Sequence, residues 1–137
     1  MINTNFDKWN ELKQAINSTT TRKSPHKGKI YWASIGQNVG CEIYGKGENF
    51  ARPVIILSKI QIGKIDSFVG IPLSSKITNK KGFMYYKFTD TKGKKQVALL
   101  AQIRVFDSKR IIKHFSANIP KSDFENIKQG LKNILAL

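Results

Sequence analysis

The chain has 137 residues, with 24 Lys plus Arg against 9 Asp plus Glu, and so a formal net charge of +15. This length fits one domain with its own core, and 40% hydrophobic and 10% aromatic residues exclude a disordered basic tail. A single Cys41 excludes an internal disulfide framework and a Cys-rich zinc site, and no apolar run approaches the roughly 20 residues needed to span a bilayer.

Ile2, Phe6, Trp9, Leu12 and Ile16 recur at three- and four-residue spacing, with Asn3 to Asn5 as caps. This predicts an amphipathic helix over 6–17. Asp7, Lys8 and Glu11 interrupt any secretory apolar segment there. A Ser- and Thr-rich stretch from Ser18 to Gly28 fits neither the helical nor the strand period. The chain therefore divides into a helix and linker over 1–27 and a main domain over 28–137.

Short runs rich in Val, Ile, Phe and Tyr then predict strands at 30–35, 53–57, 67–73, 83–88 and 96–101, with a further pair around Val105 and Ile111. Lys92-Gly93 suits a hairpin turn. Such spacing implies a mainly β fold with flanking helices, a small and strongly curved antiparallel barrel or sandwich. Ser122 with Glu125 reads as a capping box, and Phe124, Ile127, Leu131, Ile134 and Leu135 form one apolar face of a C-terminal helix.

The strong positive charge points to a polyanionic partner, and nucleic acid is the first expectation. Glu42, Glu48, Asp66, Asp90 and Asp107 are scattered singly, and two separated histidines do not build a metal site. No metal or cofactor is expected. A nuclease without metal must find its nucleophile in protein or substrate, and RNA carries one in its 2′-hydroxyl. Attack by that oxygen needs a cation at the phosphate, a proton acceptor, and a donor for the departing 5′-oxygen.

Twenty of the basic residues are Lys; only Arg22, Arg52, Arg104 and Arg110 are Arg. An arginine grips phosphate or carboxylate with a planar fork. Arg52, just before Pro53-Val54-Ile55-Ile56-Leu57, would emerge from a buried strand, either to hold a ligand or to pair structurally with Glu42, Glu48 or Asp107. Ser74, Ser75 and Lys76 follow a strand, where a hydroxyl can meet a phosphate or satisfy a turn. His26 and His114 are left outside the site. The glycine-rich connection 36–50 holds Lys46, Glu48 and Asn49, lacks the spacing of a nucleotide-binding P-loop, and reads as a binding or lid loop. Tyr31, Trp32, Tyr44, Phe50, Tyr85 and Tyr86 lie among lysines, a composition that suits base stacking as well as a core.

Taken together, Gly28-Lys29-Ile30-Tyr31-Trp32-Ala33, Val39-Gly40-Cys41-Glu42, Ala51-Arg52-Pro53-Val54-Ile55-Ile56-Leu57, Ile71-Pro72-Leu73-Ser74-Ser75-Lys76 and Gln102-Ile103-Arg104-Val105-Phe106-Asp107 resemble the MazF/PemK family of toxin ribonucleases in order and spacing. The resemblance covers 28–137. It implies an SH3-like small β-barrel with a C-terminal helix, a homodimer, and sequence-specific cleavage of single-stranded RNA without metal. It makes Arg52 the principal catalytic cation, with Ser74 in the hydroxyl position usually held by Thr. Glu42 becomes an acidic residue that orients the arginine or transfers a proton. Gln102 and Arg104 match the family's segment close to the site, as substrate contacts or packing supports, and with Lys46 and Asn49 of the loop and Ser75 and Lys76 of the strand end they complete the expected RNA-binding residues. The added N-terminal helix and the longer loop between Glu42 and Arg52 depart from the family pattern.

The resulting expectation is the cytoplasmic toxin of a type II toxin–antitoxin pair, an endoribonuclease held in check by an acidic antitoxin. The alternatives are a non-enzymatic RNA-binding module or a CcdB-like gyrase-inhibiting toxin on the same fold, and, more remotely, a protein of anionic membrane surfaces.

Overall fold

Alternating β-branched and aromatic residues dominate from Ile30 onward, and in the computed structural model they form one antiparallel sheet. The structure describes residues 5–20, 23–38 and 42–137. Ile2, the Asn3 cap, Arg22 and the Val39-Gly40-Cys41 segment lie outside the described residues. The strands are β1 (Ile30–Ser34), β2 (Ala51–Ile62), β3 (Ile65–Ser74), β4 (Tyr85–Thr89), β5 (Lys95–Leu99), β6 (Arg104–Asp107) and β7 (Ile111–His114). Helix α1 (Asn5–Ser18) precedes them and helix α2 (Lys121–Ile134) follows.

The sheet runs β4-β5-β3-β2-β1-β7. β6 also lies against β3, because β5 and β6 follow the same edge of that strand on either side of a single 3₁₀ turn, Leu100–Gln102. Among the described residues β4 and β7 do not pair with each other, so the mainly β fold expected from sequence is an open sheet and not a closed ring. β2 and β3 extend well past the predicted runs to a hairpin turn at Gly63, whose φ of 58° suits glycine. The extension was hard to read because Ser58 to Lys64 is mostly polar or exposed.

The central strands are buried on both faces. Ile30, Ile55, Ile71 and Leu73 point to one side, where Phe124, Ile127 and Leu131 of α2 cover them. Their neighbours Tyr31, Ala33, Val54, Ile56 and Phe68 pack on the other side with Phe106 and Ile111. Each fully buried side chain of this kind contributes about 1.5–3 kcal/mol. The capping box is corrected: α2 starts at Lys121 with Pro120 as its N-cap, so Ser122 already lies inside the first turn. Glu125 instead pairs with Lys128 at 2.9 Å. Phe83 and Leu135, predicted in a strand and on a helix face, are exposed and lie outside β4 and α2.

Helix α1 forms where predicted, but of its apolar side chains only Trp9 is fully buried. Trp9 lies over Gly36, where a Cβ would come within 2.4 Å of the indole, and its ring is 5.6 Å from that of Phe50. The Arg110 guanidinium covers the same indole at 5.6 Å, and Lys109 Nζ donates to the Asn17 carbonyl at 3.1 Å. One wedge and the last turn thus hold the helix to the sheet.

The β4–β5 hairpin turns at Gly93, as predicted, and Asp90 organises it. Its carboxylate accepts from the backbone N–H groups of Lys92 and Lys94 and from Gln96 Nε2. Burial opposes ionisation of Asp90, but these hydrogen bonds outweigh it and hold the carboxyl below its ordinary value. A depressed folded pKa stabilises the native state above the unfolded value near 4, and this contribution is lost as pH falls through the folded value. Thermal melts should therefore fall more steeply below about pH 4 for the native chain than for Asp90→Asn. Parallel curves would assign the acid sensitivity elsewhere.

Candidate active site

The first turn of β2 sets the key cation. Arg52 is paired in register with Ala33 of β1 and is only 7% exposed. The β2–β3 ladder ends with Val54 paired to Pro72, and Arg52 and Ser74 each lie two residues beyond that pair, so alternation along the strands puts them on one face. Ser74 is equally buried, and its Oγ accepts from the Lys76 N–H at 3.2 Å. That bond turns the chain after β3 and directs the hydroxyl hydrogen away from Lys76, while Ser75 and Lys76 are exposed.

Arg52 Nε donates to the Tyr44 carbonyl oxygen, and the guanidinium carbon sits 5.5 Å from the centre of the Tyr44 ring. Burial pushes the Arg52 pKa below the usual arginine value, and the Tyr44 phenol pulls it back. An arginine begins far enough above neutrality to stay charged. The protein therefore holds a partly desolvated cation, whose field is stronger than it would be in water.

The 36–50 connection is a built loop in its described part. Asn38 Nδ2 donates to the carbonyls of Ile35 and Ile43, at 3.2 and 2.7 Å. Gly45 N–H donates to the Gly36 carbonyl at 2.7 Å, and Lys46 and Ala51 exchange both backbone hydrogen bonds at 3.0 Å. Gln102 Oε1 accepts from the Ile43 N–H at 3.1 Å. Thus Gln102 holds Ile43 from one side and Arg52 holds Tyr44 from the other.

Most of the other sequence-predicted residues line two hollows that share no residue, and Arg52 and Ser74 line neither. Lys46 and Ser75 line a cleft of about 330 Å³ with Trp32, Pro53, Lys94 and Phe115. Glu42, Gln102 and Arg104 line a second hollow of about 280 Å³ with Asn38 and Ile43. Asn49 and Lys76 are exposed beside the first cleft and do not line it. Arg104 also lies 4.6 Å over the Phe106 ring. His114 stacks on Tyr31 at 4.4 Å, outside both hollows.

Of the aromatic candidates, Tyr31 and Phe50 are core, whereas Trp32 and Tyr44 line clefts. Lys94 and Gln96 join the first cleft from the β4–β5 hairpin. Nothing in their local sequence marks them, because only the β3–β5 pairing brings that hairpin beside Ser75. Among the described residues, no three His, Cys, Asp or Glu side chains are grouped to hold a metal ion.

Residues 26–135 match the family model described as PemK-like, MazF-like toxin of type II toxin-antitoxin system. No curated protein matches the chain by sequence. Among solved structures, the chain is similar to MazF from Deinococcus radiodurans, with a TM-score of 0.64 and 19% identity over 84% of this chain and 99% of that one. It is similar also to a chain of the MazE-MazF complex from that organism, at 0.58 and 17% over 84% and 98%. A third similar structure is an endoribonuclease from a mycobacterial species in complex with its cognate antitoxin, at 0.59 and 13% over 82% and 96%. At these identities the likeness to solved structures is one of fold.

Proposed function

The chain belongs to the PemK-like, MazF-like toxin family of type II toxin–antitoxin systems, and on that footing we propose that it is a metal-independent endoribonuclease cutting single-stranded RNA. The observation that carries this reading is that Arg52 and Ser74 are both buried and lie on one face of adjacent strands, just past the end of the β2–β3 ladder. A fixed cation and a fixed donor on one face suit a phosphate whose charge grows during reaction.

In the proposed step, the 2′-oxygen of a ribose attacks the adjacent phosphorus and loses its proton. The bond from phosphorus to the 5′-oxygen breaks, and that oxygen takes up a proton. Arg52 stabilises the crowded phosphorane, and Ser74 donates to a non-bridging oxygen. Glu42, which lines the second hollow with Arg104, is the carboxylate assigned to proton transfer or to orienting the cation. The products carry a 2′,3′-cyclic phosphate and a 5′-hydroxyl. Ser75, Lys76, Lys46 and Asn49 bind the strand along the first cleft, and Gln102 with Arg104 along the second.

Similar proteins are found in complexes with an antitoxin, MazE-MazF and the mycobacterial endoribonuclease with its cognate antitoxin, and a net charge of +15 suits an acidic segment lying over the same clefts. The reading includes a cytoplasmic homodimer, consistent with a single cysteine. Among the described residues no helix is long and apolar enough to cross a membrane.

The decisive assay incubates the protein with long mixed-sequence RNA, and with DNA of the same sequence, in EDTA. Fragments with cyclic phosphate and 5′-hydroxyl ends, from RNA only, are expected. Cut DNA, 3′-hydroxyl ends or cleavage that needs added magnesium would contradict the mechanism. RNA that is bound but left intact across varied sequences points to the non-enzymatic binder.

A further inference from the structure

The family match begins at residue 26, so α1 lies outside it. Yet α1 is fixed beside the site by Trp9, wedged between Gly36, Phe50 and Arg110. The residue before that wedge, Lys8, lines a cleft of about 540 Å³ with Gln37, Tyr44, Lys46, Glu48 and Phe50. Lys46 and Gly47 line this cleft and also the one holding Ser75 and Trp32, so their turn forms a saddle between the two. Tyr44, whose carbonyl Arg52 holds, is 48% exposed as a residue and lines the α1 cleft.

From this arrangement we propose that α1 builds a nucleotide subsite for RNA next to the scissile step. Lys8 and Lys46 hold a backbone phosphate from opposite walls, and the Tyr44 ring takes the face of the adjoining base. Glu48, the acidic residue of the lining, offers an acceptor to a base amino group. An exposed aromatic ring flanked by lysines is the combination that holds single strands, since every base has a π-face and every nucleotide a phosphate. An acidic peptide would use the lysines but would gain little from the ring. The subsite rests on RNA being the substrate, and it makes the N-terminal helix a determinant of strand binding and not only of packing.

The test compares Lys8→Glu with Lys13→Glu in the full chain. Lys13 lies on the same helix but lines a different hollow, with Asp107 and Arg110, so the two variants change net charge equally. Binding is read by fluorescence anisotropy of a single-stranded mixed-sequence RNA of roughly 12 nucleotides, methylated at its 2′-oxygens to prevent cleavage. Lys8→Glu should weaken binding by about tenfold, and its salt slope should fall by about one more than that of Lys13→Glu, which should lose about threefold or less. In cleavage assays Lys8→Glu should raise KM and leave kcat near that of the native chain.

Equal losses for the two variants, with RNA still cut by the native chain, would overturn the subsite alone. A native chain that binds no RNA would overturn both the subsite and the functional reading. Weakened binding of an oligoglutamate probe by Lys8→Glu, with RNA affinity unchanged, would reassign the cleft to an acidic peptide.

Discussion

Arg52→Ala should slow RNA cleavage by about 10²–10³-fold, the usual loss when one fixed donor to a developing oxyanion is removed. Arg52→Lys should recover less than about a tenth of the native rate although it keeps the charge. A lysine cannot place one donor on the Tyr44 carbonyl while presenting the rest of a planar fork to phosphate. Ser74→Ala should cost less, about tenfold, and Ser74→Thr should restore most of that loss because it keeps the hydroxyl. Single-turnover cleavage of one RNA by all four variants gives these ratios. Leaving the Tyr44 carbonyl unpaired costs about 1–3 kcal/mol, so the comparison belongs well below the melting transition. An Arg52→Ala protein with native structure and native cleavage would remove the arginine from the chemistry.

The largest effect on stability is expected at Gly45. A Cβ built there would lie 1.6 Å from the Phe50 carbonyl oxygen, 1.9 Å from its carbon and 2.6 Å from the Ala51 nitrogen. These are backbone atoms, so no side chain can swing aside to make room. Accommodation must break the Lys46–Ala51 bridge or the Gly45–Gly36 hydrogen bond, one of which immediately precedes Arg52. Gly45→Ala should therefore cost about 3 kcal/mol or more, a fall in melting temperature of about 10 °C, together with most of the cleavage activity. Gly47→Ala is the contrast: its φ is 74° but nothing lies within 4 Å of an added Cβ. Conformational strain alone should cost it about 1 kcal/mol. Similar melting curves for the two variants would mean that the loop is not built as described.

Both α-helices and the seven strands were legible in outline because their apolar periods are strong. Ile55 and Ile71 fall on one face and Val54 and Ile56 on the other, as continuous runs buried on both sides require. The family-like segments also pointed to Arg52 and Ser74, which alternation along β2 and β3 puts on one face just past the end of their ladder. What could not be read was tertiary. Arg110 stood out only as one of four arginines, whereas in the fold it donates to the Ser34 carbonyl at 3.0 Å and covers Trp9. Burial pushes its pKa below the usual value, the nearby Arg104 charge adds to that, and Asp107 works against it. Ser122 and Glu125 had the spacing of a cap, but the helix starts one residue before Ser122 and the pattern loses its geometry. Glycine content made the 36–50 connection read as a binding or lid loop, and Asn38, Gln102 and Arg52 tie down its described part through backbone groups that have no sequence signature.

The short turn that interrupts the partner strand of β3 has a mechanical consequence. Leu100 lies in the core beneath α2, where a Cβ on Gly130 would meet its Cδ1 at 3.0 Å, and Gln102, two residues on, grips Ile43. One end of this pivot feels the C-terminal helix and the other feels the rim of the hollow holding Glu42 and Arg104. Levering that helix away from the sheet would twist the pivot and slacken the rim, so a disturbance on the face remote from Arg52 would reach the loop that Arg52 holds along a single turn of backbone.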